Sequence, residues 1–123
     1  MNYVDSNIEL FAIIETYGRS YVDLSEVVCL TADGTCSWIA LMDGRRVLTT
    51  KNLGYYQSIL PKVGDSSKNA FFRIHHKHIV NLRFLEKYDR RFMQVIIRPD
   101  ISVPIAQRRL KLFKNALQEL CSY

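Results

Sequence analysis

Residues Phe71–Leu82 read FFRIHHKHIVNL and hold all three histidines of the chain, His75, His76 and His78. Lys77 sits among them and Arg73 stands just before them, so groups able to carry positive charge crowd into a run that is otherwise apolar. Buried without partners, such groups are costly. Exposed, they form a dense set of hydrogen-bond donors. Phe71–Ile74 reads as a strand, and His75–Ile79 fits either a helical turn or a strand. Asn81 marks a bend, its side chain suited to holding backbone groups.

Upstream, the chain alternates apolar runs with turns. Ile8–Ile14 and Tyr21–Leu24 read as strands around Tyr17-Gly18-Arg19. Val27–Ala32 and Ser37–Met42 flank Asp33-Gly34, and Asp43-Gly44 turns into Arg45–Thr49. Two Asp-Gly turns between apolar runs predict successive antiparallel hairpins. Leu53, Tyr56, Ile59 and Leu60 then recur at helical spacing, with Thr49 or Thr50 as the cap and Pro61 as the stop. Lys62–Asn69 is a polar loop.

Downstream, Phe84–Tyr88 and Phe92–Ile97 read as strands joined by Asp89-Arg90-Arg91. Arg98-Pro99-Asp100 leads to a short Ile101–Val103 strand. Pro104 opens a helix with Leu110, Phe113, Leu117 and Leu120 on one side and Arg108, Lys111 and Lys114 on the other. With no repeat, low-complexity tract or linker, residues 1–123 read as one mainly β domain.

The 123 residues, 48% hydrophobic and 24% charged, suffice for a buried core. No apolar run approaches the roughly 18 residues that span a bilayer. The polar start after Met1 resembles no leader, so the expected compartment is the cytosol. Cys29, Cys36 and Cys121 lack CxxC spacing, and free thiols are expected. Residues 1–67 carry 5 basic and 8 acidic side chains, a balance of −3, whereas residues 68–123 carry 12 and 4, a balance of +8. Lys and Arg gain affinity for polyanions by displacing condensed counterions. The second half therefore suggests a phosphate-rich partner, although a solvated basic face gives the same count.

Arg73-Ile74-His75-His76-Lys77-His78-Ile79-Val80-Asn81 follows R-x-H-x-x-x-[IL]-V-N, which resembles the signature of the LytTR family of bacterial DNA-binding domains. Four other parts agree in order and spacing. Val27–Cys36 is similar to I-x-Y-L-E-A-D-G-x-Y, Asp43-Gly44 to a following hairpin, Lys51-Asn52-Leu53 to a helix opening, and Val103–Arg109 to L-P-V-S-R-R. The resemblance runs from about Ile8 to Leu117. Thr31, Cys36 and Ala106-Gln107 depart from it where the family often has Glu, Tyr and Ser-Arg.

The resemblance implies an elongated β domain of antiparallel sheets with a short middle helix and a C-terminal helix. It implies sequence-specific binding of duplex DNA, at repeated sites and with a homodimer as one option, through loops that enter major grooves. Most family members are effector parts of two-component response regulators, joined to a receiver domain that a sensor kinase pathway phosphorylates. The chain leaves no room for a receiver before Ile8, so an excised effector domain or a stand-alone regulator is expected. No enzyme activity, cofactor, metal or membrane partner is implied.

Matching the family's contact positions are Thr35 and Cys36 in a first loop, His76 and Lys77 in a second, and Ala106, Gln107, Arg108 and Arg109 in a third. Lys51 opens the middle helix, where amides can hold a phosphate. Arg73 reads equally as a phosphate contact or an internal pair. His75 reads as a structural histidine facing the core, and His78 as a packing residue. Arg, Lys and His suit the acceptors that guanine and adenine show in the major groove.

Other chemistries need more than the sequence offers. A zinc site on His75 and His78, or on His76 with a distant cysteine, lacks a Cys or acidic residue at ligand spacing and has Lys77 in its midst. Acid–base catalysis lacks a carboxylate partner or a Gly-rich phosphate loop. Trp38, Tyr55 and Tyr56 leave open a protein-interaction surface, and an RNA-stacking platform requires aromatics exposed on one sheet.

Overall fold

The computed structural model describes residues 8–121; the polar start of the chain lies outside them. The Asp-Gly turns form the expected hairpins. Strands β1 (Leu10–Glu15) and β2 (Gly18–Asp23) pair first, followed by β3 (Val27–Asp33), β4 (Cys36–Leu41) and β5 (Arg46–Thr49). Gly34 and Gly44 carry the two tight turns at φ +63° and +93°, where a Cβ is disfavoured. Helix α1 (Leu53–Ile59) precedes β6 (Phe71–His75) and β7 (His78–Asn81). Strands β8 (Leu85–Asp89), β9 (Gln94–Ile97) and β10 (Ile101–Pro104) lead to helix α2 (Leu110–Leu120).

Three antiparallel sheets result, β1-β2, a central β5-β4-β3-β7-β6, and β10-β9-β8. Strand alternation sends side chains of the central sheet into two cores. On one face Leu30, Ile39, Leu41 and Ile79 meet Phe11 and Ile13 of β1 and Leu53 and Tyr56 of α1. On the other, Val28, Cys29, Ile74 and Val80 meet Val95, Ile97, Val103 and Phe113. Register shifts at Val27/Cys29 and Arg73/His75 let consecutive residues serve this layering. Phe113 is fully buried, edge-on to Tyr88 with centroids 5.5 Å apart. A side chain buried to that degree is worth about 1.5–3 kcal/mol.

Two local expectations are corrected. The cap of α1 is Asn52, whose Oδ1 accepts from the Tyr55 amide at 2.9 Å; Thr50 is exposed. Thr49 is fully buried, donates to the Ile14 carbonyl at 2.8 Å and hydrogen-bonds Tyr56 Oη, so it ties β5 to β1 and α1. Pro104 closes β10 rather than opening a helix, because Val103 and Pro104 still pair with Val95 and Gln94. Gln107–Arg109 makes a 3₁₀ turn, and α2 starts only at Leu110.

At the β7 exit, Asn81 has no exposed surface. Its Nδ2 donates to the Val27 carbonyl at 2.9 Å and to Asn69 Oδ1 at 3.1 Å, and its Oδ1 accepts from the Arg83 amide at 3.2 Å. Asn69, equally buried, donates onward to Glu9 Oε1 at 3.0 Å and Ser25 Oγ at 3.2 Å. Asn81 is thus the bend former expected, within a satisfied buried network.

Candidate nucleic-acid interface

Strand register brings the expected contact residues to the sheet end opposite Asn81. Asp33 faces Cys36 across the β3–β4 turn, Thr31 faces His78, His75 faces His78, and Ser37 faces Thr49 just before Lys51. The Ala32 amide donates to the Lys77 carbonyl at 2.9 Å. The Ala106 amide donates to the Ile74 carbonyl at 3.0 Å, which pins the third loop to the outer edge of β6. Three loops distant in sequence therefore share one rim. Five strands about 4.8 Å apart make it roughly 20 Å wide, against about 12 Å for a major groove.

At the centre of the rim, His75–Ile79 resolves into a hairpin whose turn is His76-Lys77. Arg73 builds that turn. Its Nε donates to the His75 carbonyl at 3.1 Å, Nη2 to the His76 carbonyl at 2.5 Å, and Nη1 to Gln57 Oε1 at 2.8 Å. Burial, and next the charge of Arg109, lower its pKa from the usual guanidinium value. Arg73 is half-buried and internally bonded, which favours the pairing half of its expected roles. Its partners, however, are carbonyls rather than an acidic side chain.

The imidazoles cluster without a carboxylate partner among the described residues. His75 stacks on His76 with centroids 4.5 Å apart and lies 5.4 Å from His78. His75 Nδ1 accepts from the Lys77 amide at 3.1 Å, and His78 Nδ1 hydrogen-bonds Thr31 Oγ1 at 3.2 Å. Burial foremost, and then neighbouring cations, hold both His75 and His78 below the ordinary value of 6.5. His75 is half-buried at the rim rather than turned into the core. Thr31, a departure from the family pattern, is the cross-strand partner that satisfies His78.

Thr35, His76, Lys77, Gln107 and Arg108 are exposed, whereas Cys36, Lys51 and Arg109 are half-buried. Lys51 Nζ lies 5.1 Å from the Tyr55 ring centroid. At the N-terminus of α1, a helix of seven residues, Asn52 Oδ1 takes the Tyr55 amide. Among the described residues no cluster of three or more His, Cys, Asp or Glu is placed to hold a metal. Burial pushes the Cys29 thiol up to about 11.

The placement of Trp38 and Arg46 beside the histidines escaped the sequence reading. Trp38 faces Thr31 on one side and Leu48 on the other, so Leu48, Trp38, Thr31, His78 and His75 form a row along one face behind the rim. Exposed Arg46 lies 4.6 Å from the Trp38 ring centroid, and Trp38 Nε1 donates to Asp33 Oδ2 at 3.0 Å. The signal was available as period-two alternation in β4, but strand order is needed to align it with the histidines.

The model of the LytTr DNA-binding domain matches residues 18–118. The chain belongs to the LytTR family. The match begins at β2, so β1 lies before it. In structure, the LytTR domain is similar to the LytTr DNA-binding domain of a Bacillus cereus protein described as a methyl-accepting/DNA response regulator. The TM-score is 0.71 at 21% identity, over 88% of this chain and 95% of that one. No curated protein matches it significantly in sequence. The LytTR family is one of DNA-binding domains rather than of enzymes, and the mainly β, antiparallel architecture is the one the resemblance implied. Among the described residues no helix is long and apolar enough to cross a membrane.

Proposed function

We propose that this LytTR domain is the sequence-reading effector of a bacterial response regulator and binds duplex DNA by its loop rim. The observation that carries the reading is the convergence of the β3–β4, β6–β7 and β10–α2 loops on one sheet end. His76 and Lys77 enter the major groove and meet base-edge acceptors. Arg108, Gln107 and Thr35 flank them, on base edges or phosphates. Because the rim is wider than one groove, its outer loops reach the phosphate ridges or the next groove. Arg73 acts as a positioning residue that fixes the turn from behind. Arg109 and Lys51, half-buried, add positive charge to the rim.

Binding is then steeply salt-dependent, with log K falling about 0.9 per phosphate contact for each decade of salt. The test is an electrophoretic shift series over salt with duplex and single-stranded probes. Preference for duplex with a steep slope supports the reading, and equal binding of single strands contradicts it. Repeated half-sites, a homodimer on DNA, cytosolic residence, and control by a receiver domain and sensor kinase belong to the same proposal. Sites spaced by a helical turn, about 34 Å, fit two copies side by side on one DNA face.

A further inference from the structure

Helix α2 is apolar on more than its core face. Leu112 and Ala116, with Leu60 after α1 and Phe71 and Phe72 of β6, line a cleft of about 340 Å³. Leu112 is left 53% exposed above it. Small-molecule sites occupy roughly 300–1,000 Å³ and combine apolar walls with a few placed polar groups. Here Arg73 and Arg109 supply such groups at the end nearest the rim, Lys62 adds a further cation, and Glu119 stands ten residues beyond Arg109 along α2, about 15 Å by helical rise, beside Gly64.

Neither arginine is neutralised by the protein. Among the described residues the only ion pair is Arg45–Asp43. Arg73 spends three donors on Gln57, His75 and His76, and a guanidinium has five. Arg109 is near enough for its charge to act on Arg73. Two cations without a counter-charge at the head of an apolar hollow call for a ligand that is apolar in body and anionic at one end.

We propose that this cleft binds a small amphipathic carboxylate, its body against Phe72, Leu112 and Ala116 and its carboxylate between Arg73 and Arg109. Inorganic phosphate leaves the hollow empty, and a neutral ligand leaves the arginines unpaired. A second consequence rests on the DNA reading above. Arg109 lends charge to the rim and Arg73 holds its central turn, so a carboxylate in the cleft competes with DNA phosphate for the same charge. Occupancy weakens DNA binding, and DNA weakens ligand binding by the same factor.

The test titrates the whole ¹⁵N-labelled chain with 4-phenylbutanoate and, separately, with uncharged 4-phenylbutanamide. Saturable amide shifts at Phe72, Arg73, Leu112 and Ala116 are expected with the acid, and about tenfold weaker binding with the amide. Ala116→Trp fills the hollow, and Leu112→Glu, at an exposed position, supplies an internal carboxylate; each should abolish the shifts. No saturable shift, equal affinity for the amide, or undiminished binding in a folded variant of either kind overturns the site. Saturating 4-phenylbutanoate should also weaken duplex binding by the parent chain but not by Ala116→Trp. Unchanged duplex affinity refutes the coupling alone. Failure to bind any duplex refutes the DNA reading and leaves the cleft titration to stand.

Discussion

The two ends of the central sheet both gather polar side chains and treat them in opposite ways. At the Asn81 end, Asn69 and Asn81 are fully buried and bond each other, Glu9, Ser25 and the Val27 carbonyl. At the other end the cations Lys77 and Arg108 stand exposed, and His75 and His78 carry depressed pKa values beside cations. The chemistry of the groups explains the contrast. Amides both donate and accept, so they close on one another, whereas ammonium and guanidinium groups only donate. A cluster of donors is completed by an acceptor from outside, and the first end has no such need.

The largest effect expected is on stability at the closed end. Asn81→Ala deletes two donated bonds and one accepted bond in a buried site and should cost roughly 3 kcal/mol in urea unfolding. The folded fraction should bind DNA as before. A loss below about 0.5 kcal/mol would blur the distinction between the ends.

At the open end, Lys77→Ala and Arg108→Ala should each cost roughly 1–3 kcal/mol of DNA binding where the side chain reads a base, with specificity relaxed at one position. Stability should change by less than about 0.5 kcal/mol. A loss uniform over all sequences assigns the side chain to phosphate. Unchanged binding for both refutes the assignment of the rim.

Arg73→Lys separates positioning from contact. Lysine keeps the charge but cannot span the His75 and His76 carbonyls and Gln57 together. Weakening by about 1 kcal/mol with an unchanged salt slope is expected, together with shifts of the His76 and Lys77 amides. Wild-type affinity in that variant would make Arg73 a simple phosphate contact.

The smallest effect is with pH. His75 and His78 have pKa values below 6.5 in the folded domain, so the fold disfavours their charged forms. Domain stability should therefore decline as pH falls through and below 6.5. Bound phosphate favours protonation instead, so DNA affinity should rise over the same interval. Affinity that falls with acidification would separate the imidazoles from the DNA surface.

Much of this was legible in the sequence because local rules carried it. The Asp-Gly turns gave the hairpins, the spacing of Leu53, Tyr56 and Leu60 gave α1, and the five ordered motifs gave the family. What was not legible depended on partners far along the chain. Thr49 looked like a helix cap, yet burial against Ile14 and Tyr56 left that task to Asn52. Pro104 looked like a helix start because its pairing with Gln94 is a tertiary fact. The insertion of β7 between β3 and β6 aligns Trp38 and Thr31 with His78 and His75, and no local pattern announces that order. Arg73 was ambiguous because a guanidinium that braces a turn and one that meets phosphate look alike in sequence.

If the open rim reads DNA sequence, a LytTR domain with this rim selects its own target. Selection from a randomised duplex library by electrophoretic shift, followed by sequencing of the retained duplexes, tests it most directly. Enrichment of a pair of similar short motifs about one helical turn apart is expected, weakened at defined positions by Lys77→Ala or Arg108→Ala. Retention without enrichment, or enrichment that neither substitution alters, would contradict it.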